Sequence, residues 1–515
     1  WPSGTAGGRV TRNKKFGCKG LTLEIADIHD YQKICKEKRC KEYDPIDAAT
    51  GLMVIYAAII EGSEIKQFRK IDLDGKEKLK KEESLLIIRL ETSDTSEWFN
   101  GEAPPDNLNP ECVQQFIKET HEKYKETVGE YFGNTILGIF TDEPSLNDRH
   151  AYFGEKKSWI PWTFGFSEYF RKQNGYDFFQ ALPYFYFDGK QSRKVRHDYW
   201  YTITKRYGEA YFKTIKEWCE NNHLLFTGHF LQEDKMGLCA RVNGAVMPNY
   251  QYQHVPGIDM LCEQTNEYMT VKQCSSVANQ LGKKYVLSET YGCTGWEFTF
   301  EGQKWIGDWQ YVLGVNHRCQ HLSLYTLRGC RKRDYPPSFN YNNNTWKDNF
   351  IVEEYFARLS LVLQQGKAVR NTLVLHPMST VWSLLGVDPY GNPRRKEERD
   401  VPALNAYGER FNQLIEFIIR HHLDCDLGDE ILIEQYGKIE DGRFWIGNAS
   451  YETVVISKVD TLLSHTWELL AEYTKQGGHV YLLGEFPQMI GGEEKTGEQK
   501  NSLDKFETFK QISNW

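Results

Sequence analysis

The stretch Ile136-Leu137-Gly138-Ile139-Phe140-Thr141-Asp142-Glu143-Pro144 decides how this chain is read. It is a short apolar run that ends in two acids and a proline. Continuous apolar runs of this length predict fully buried strands of a parallel sheet. Pro144 cannot donate to a ladder, so the strand stops there. Glu143 then falls at the C-terminal tip of a buried strand, where parallel α/β barrels build their active sites. Asp142 alternates to the other side of the strand and is expected to support its neighbour and contact substrate.

A second run repeats the pattern. Lys284-Tyr285-Val286-Leu287-Ser288-Glu289 is apolar, ends in a glutamate, and is followed by Tyr291, Gly292, Gly295 and Trp296. Two strand-tip glutamates suit a pair of carboxylates acting across a sugar. Glu143 is assigned as general acid, its pKa raised at a partly desolvated barrel mouth. Glu289 is assigned as general base or nucleophile. Glu263, after the Pro256–Cys262 run, is a third acid that could bind a sugar hydroxyl, help hold a metal, or be the base. His229 ends another strand, with Glu233 and Asp234 just beyond, and joins the substrate-binding candidates. Trp98, Tyr291 and Trp296 are aromatic candidates for stacking on sugar C–H faces. Structural ion pairing is the competing reading for every one of these acids. No nucleophile elbow, dinucleotide fingerprint or phosphate loop follows a strand.

Around these runs the chain has a regular rhythm. Asn109-Pro110-Glu111 predicts a helix start, with Asn109 as cap and Pro110 in the first position. Strands at His223–His229, Pro256–Glu263, Lys284–Glu289 and Gln320–Thr326 recur about every 30 residues with helices between, the period of a (β/α)8-type TIM barrel. The predicted organisation is a barrel domain over residues 1–369 and a second, doubly wound α/β domain over residues 370–515, cut short at Trp515. Residues 40–90 read as a small antiparallel excursion turning at Asp74-Gly75. Residues 1–20 read as loop, with Trp1-Pro2-Ser3-Gly4 a turn that could line a sugar subsite. The aromatic-rich segment from Glu143 to about residue 195 is expected to form a wall of the cleft.

With 515 residues, more than one core is expected. The net charge of -8 is modest and mixed along the chain, which argues against a nucleic-acid partner. No apolar stretch is long enough to span a membrane, and no signal peptide is visible. The chain opens on Trp1 without a methionine, so an upstream segment is expected. Several of the 12 cysteines sit in apolar patterns and read as buried thiols, which leans toward a reducing, cytoplasmic compartment.

Several motifs occur together and in order: Trp1-Pro2-Ser3-Gly4 with Gly7-Gly8, Leu108-Asn109-Pro110-Glu111 with Thr120-His121-Glu122, Phe140-Thr141-Asp142-Glu143-Pro144, Cys262-Glu263 and Ser288-Glu289. Over roughly residues 1–370 they resemble glycoside hydrolase family 106, which contains α-L-rhamnosidases. The resemblance implies an inverting hydrolase with Glu143 as acid, Glu289 as base, Glu263 in the same site and a calcium ion near the sugar. It also implies that barrel strands precede the Trp1 turn. The tail from about residue 370 resembles the flavodoxin-like, class I glutamine-amidotransferase-like domain that follows the barrel in family 42 β-galactosidases. Its strand end reads Ile456-Ser457-Lys458 with no cysteine, which implies a structural or homo-oligomerising module. The rival readings are a retaining β-galactosidase-like hydrolase using the same glutamates and a catalytically silent carbohydrate-binding protein.

Overall fold

The computed structural model describes residues 3–37, 51–146, 158–333, 335–390, 400–495 and 508–512. The N-terminal part forms an antiparallel sheet from β1 (Lys19–Ala26), β2 (Gly51–Glu61), β3 (Glu64–Ile71) and β4 (Ser84–Thr92). Alternation along β4 sends Leu85 and Ile87 to one buried cluster and Leu86, Ile88 and Leu90 to another, so both faces of the sheet are covered. The sheet is larger than the excursion expected over residues 40–90, because β1 pairs with β4 along its whole length. The hairpin between β2 and β3 turns at Gly62-Ser63, with Gly62 at φ 62°. Asp74-Gly75, the expected turn, instead follows β3, where the Asp74 carboxylate accepts the Lys76 N–H at 2.9 Å.

The Pro110–Glu119 helix starts as its sequence dictates, with the Asn109 side chain accepting the Glu111 N–H at 3.0 Å. It leads to β5 (Gly138–Thr141). The segment after β5 corrects an expectation. Its β6 (Ile160–Trp162) adds to the antiparallel sheet beside β1, and Trp159, Trp162, Phe166, Phe185 and Tyr186 are fully buried. These aromatics pack a core and do not line a cleft. The Ser192–Tyr207 helix continues through a π-helical stretch at Gly208–Lys213 into the Thr214–Asn221 helix. Gly208 sits close under Asn249, where a Cβ would stand 2.6 Å from Oδ1 and the amide side chain would have to shift.

Four further strands complete a parallel sheet with β5: β7 (Leu225–Gly228), β8 (Val255–Met260), β9 (Leu287–Thr290) and β10 (His317–Gln320). The order is β10-β9-β8-β7-β5, an open five-stranded arc. The expected eight-stranded barrel is therefore represented by a half-barrel among the described residues. β5 corrects a second expectation. It lies at the edge of the arc, where Leu137 is 60% and Phe140 38% exposed, because burial of a strand depends on neighbours at both flanks.

The C-terminal part has its own parallel sheet. It contains β11 (Thr372–Leu375), β12 (Cys425–Gly428), β16 (Thr453–Ile456), β18 (His479–Leu483) and β21 (Phe509–Ile512), in the order β12-β11-β16-β18-β21. A three-stranded meander, β13 (Gly437–Glu440), β14 (Arg443–Ile446) and β15 (Ala449–Tyr451), and a small sheet of β17 (Thr461–Leu462), β19 (Met489–Ile490) and β20 (Glu493–Glu494) flank it.

The two parts share one hydrophobic cluster, in which Trp200, Tyr268 and Val277 pack with Val381, Trp382, Leu414 and Leu427. A buried polar network ties the Tyr268–Gln280 helix of the half-barrel to this sheet. Arg370 bonds Asp424 at 2.9 Å and Asp426 at 2.7 Å, Lys272 bonds Asp424 at 2.8 Å, and Asn279 and Tyr451 both donate to Asp426. Lys272 and Asp426 have no exposed side-chain surface. Buried charges persist only when paired in this way.

Candidate active site

The tips of the half-barrel strands converge on one charged cluster. Glu143 follows β5 with φ 40°, so the chain turns sharply after Asp142. The N-terminal turn docks on the same tip: the Ser3 N–H donates to the Asp142 carbonyl, and the Asp142 N–H donates to Ser3 Oγ, both at 2.8 Å. β7 ends at Gly228, where a Cβ would lie 2.1 Å from the Thr141 carbonyl oxygen. That close approach brings His229 beside β5. His229 Nε2 lies 2.9 Å from Glu289 Oε2 and 3.6 Å from Asp142 Oδ1. His321, just after β10, approaches the other Glu289 oxygen at 3.9 Å.

β8 contributes Asp259, the register partner of Glu289 on β9. Paired residues of neighbouring strands point to the same face, so the two carboxyls stand side by side. Behind them Glu233 accepts the Asp259 N–H at 3.1 Å and the Tyr250 hydroxyl at 2.6 Å.

The electrostatics differ sharply from group to group. Burial works against the charged form of Glu289, but the bond from His229 and its positive charge hold the carboxyl below its ordinary range. Burial likewise works against imidazolium at His229, and the Glu289 bond with the charges of Asp259, Glu289 and Glu233 overrides it and raises the ring. Asp259 is pushed up to about 7 by burial, opposed by His229 and reinforced by Glu289, Glu143 and Asp142. Burial pushes Glu233 up to about 8, against His229, the Tyr250 hydroxyl and the Asp259 N–H. Burial and the neighbouring charges therefore favour an ionised Glu289 against a protonated His229, with the carboxyls of Asp259 and Glu233 both shifted up toward neutrality beside them. Separated pKa values among neighbouring carboxyls are what acid–base chemistry requires.

Asp142, His229 and Glu289 meet directly, and the field of Glu143 reaches Asp259 in the same cluster. Glu263 does not stand at a strand tip: β8 ends at Met260, and Glu263 is exposed on the loop beyond. The acid that does stand in the site from that run is Asp259, four residues before the expected strand end at Glu263. Its signal was an acid within an otherwise apolar strand. Tyr291 turns into the core beside Phe298, Ile306 and Phe339 and is 1% exposed. Its hydroxyl donates to the Gln303 carbonyl and accepts from Arg318, so it offers no surface to a sugar. Trp296 is half-buried on the loop after β9, its indole N–H donating to the Lys332 carbonyl at 2.7 Å. Trp98 is 50% exposed in the loop after β4. Trp1 lies outside the described residues.

His229, Asp259 and Glu289 also form a group whose ligand atoms all lie within 4.8 Å of one another. Calcium takes about six to eight oxygen ligands. An imidazole nitrogen already engaged with one of only two carboxyls does not match that donor set. The calcium expectation thus does not fit this cluster, and no step below passes through a metal.

A half-barrel with carboxyls gathered at its strand tips is an arrangement that barrel glycosidases use. The family model for glycoside hydrolase family 106, described as alpha-L-rhamnosidase, matches residues 101–379, and the chain belongs to that family. A Formosa agariphila protein with a provisional beta-glucuronidase name is 27% identical over 283 residues, covering 52% of this chain and 22% of that protein. Among solved structures, a rhamnosidase from Novosphingobium sp. PP1Y superposes with a TM-score of 0.57 at 19% identity, covering 83% of this chain and 39% of that one. A family 42 exo-carrageenase from Bacteroides ovatus superposes at 0.51 and 12% identity, covering 80% of this chain and 57% of that one. A β-galactosidase from Rahnella sp. R3 gives 0.51 at 9% identity, covering 78% and 58%. The chain thus spans less than half the length of the curated relative and of the rhamnosidase. Among the described residues no helix is long and apolar enough to cross a membrane.

Proposed function

We propose that this chain carries the catalytic centre of a glycoside hydrolase that removes terminal α-L-rhamnosyl groups with inversion. Glu289 is the general base. Its hydrogen bond to the buried His229 is the observation that carries the reading, because it holds the carboxylate ionised and aimed. Glu143, after β5, is the general acid, protonating the leaving oxygen while Glu289 draws a proton from water on the opposite face of the ring. Asp142 and His229 orient the pair, and Trp296 and Trp98 contact the sugar or its aglycone. The C-terminal sheet has the strand order second-first-third-fourth-fifth, which supports a flavodoxin-like, glutamine-amidotransferase-like module without the nucleophilic cysteine.

The test compares aryl α-L-rhamnosides with good and poor leaving groups in Glu143→Gln and Glu289→Gln. Loss of an acid spares substrates whose leaving group needs no proton, so Glu143→Gln should retain activity on a dinitrophenyl glycoside and lose it on a phenyl glycoside. Glu289→Gln should lose both. Equal loss of both substrates in Glu143→Gln would remove it from the acid role. The fold shared with family 42 enzymes favours, as a second reading, a retaining galactosidase-like hydrolysis with the same glutamates. Sugar binding with no turnover of any glycoside would leave a silent binding protein.

A further inference from the structure

Two cysteines meet at the mouth of this cluster. Cys262 follows β8 and Cys293 follows β9, the strands that carry Asp259 and Glu289. The Cys262 N–H donates to the Gly292 carbonyl at 2.8 Å. Cys293 is the residue after Gly292, so this bond holds the two cysteine-bearing loops against each other just beyond the end of the β8–β9 ladder. Both residues turn through left-handed backbone, at φ 68° and 64°, so the two loops bend at the same level. Both thiols are free, Cys262 exposed and Cys293 half-buried. Burial raises the Cys293 thiol, and the Cys262 and Asp259 charges raise it further, as expected for thiols held close together.

We propose that Cys262 and Cys293 form a dithiol that closes to a disulfide, a redox modification site at the mouth of the glycosidase centre. The bond would join the loop carrying Glu263 to the loop carrying Trp296. The exposed Cys262 attacks first. Its thiolate displaces one thiolate from a small disulfide such as oxidised glutathione, leaving a mixed disulfide on Cys262. The Cys293 thiolate then attacks the Cys262 sulfur and releases the second small thiol. The two protein thiols lose two electrons and two protons, and the small disulfide gains both as two thiols. Cys319 is the competing partner in the neighbourhood, but it sits one strand away as the register partner of Glu289.

The experiment exposes the folded protein to a series of oxidised-to-reduced glutathione ratios and maps peptides without reduction. The expected result is a peptide joining Cys262 to Cys293, cleaved by dithiothreitol, with two fewer thiols titrated per chain. Cys293→Ser should instead accumulate a glutathione adduct at Cys262, because the resolving thiol is gone. Stable glutathionylation of Cys262 in the unsubstituted protein would overturn the proposal, and so would a cross-link from Cys262 to Cys319. The outcome does not depend on which sugar the centre takes.

Discussion

The two five-stranded parallel sheets obey the same rule and end differently. In the half-barrel, the strand tips hold Asp142, His229, Asp259 and Glu289, and the face above them is open enough to leave Asp142 50% and Glu289 15% exposed. In the C-terminal sheet, the tips hold His376, Asp429, Glu430 and Ser457, all at 5% exposure or less. Burial drives His376 down to about 3, and Asp429 and Glu430 up to about 7. Glu430 spends its carboxyl on the Leu463 N–H, and Asp429 caps a helix through the N–H groups of Ile431 and Leu432. At these tips the ionisable residues are sealed, and the two acids hold backbone N–H groups. What distinguishes the half-barrel is a buried cation against a partly open carboxylate, so that charge is kept and water can reach it.

The largest expected effect breaks the open tip. Glu289→Gln and Glu143→Gln should each lower turnover of phenyl α-L-rhamnoside, whose leaving group needs a proton, by about 100- to 10,000-fold, the range of positioned acid–base groups. The same substitutions should leave the circular dichroism spectrum unchanged. Next comes the tie between the two sheets. Asp426→Leu leaves the buried Arg370 with Asp424 alone and takes the acceptor from Asn279 and Tyr451, and removal of one partner of a buried pair costs up to about 3–5 kcal/mol. A urea titration should show the corresponding fall in midpoint without a change in slope.

Smaller effects sharpen the contrast. Asp259→Asn should alter the limb of the pH–rate profile near 7 while leaving the acid limb set by Glu289 in place, read from kcat/KM between pH 4 and 9. At the sealed tips the sign runs the other way from an ion-paired carboxylate. Glu430 has its folded pKa raised to about 7, so the native state holds a proton that the unfolded chain has released. Stability should fall as pH rises from about 4 to about 7, by at most about 1.4 kcal/mol per pH unit for one group. Glu430→Gln keeps an acceptor for the Leu463 N–H and should flatten that slope in denaturation curves taken across the window.

Most strands of the two parallel sheets were legible in the sequence because apolar runs and their spacing report local structure directly, but the last half-barrel strand, expected at Gln320–Thr326, is β10 at His317–Gln320, and β12 and β21 gave no such run. Thr372–Leu375 and Val454–Ile456 could be placed that way, and the Asn109 cap could be placed from chemistry alone. What was not legible depended on neighbours far along the chain. The edge exposure of β5 is a property of its flanks. The burial of Trp159, Trp162 and Phe185 is decided by β1 and by the helix at Ser192–Tyr207, and composition cannot say which face an aromatic takes. In the site, Glu289 and His229 announced themselves as strand ends, whereas Asp259 was hidden by placing the end of β8 three residues late, at Glu263. Tyr291 looked like a cleft aromatic by position alone, and only the Arg318 and Gln303 contacts turn it inward. The Arg370, Asp424, Asp426 and Lys272 network joins residues more than 50 positions apart and leaves no local trace.

In the proposed inversion Glu289 acts as base on water, opposite an acid that protonates the leaving group. The most direct measurement is proton NMR of an aryl α-L-rhamnoside during the first turnovers, before the released sugar mutarotates. The account predicts β-L-rhamnose as the first product. Release of α-L-rhamnose would contradict it and assign a nucleophile's role to Glu289.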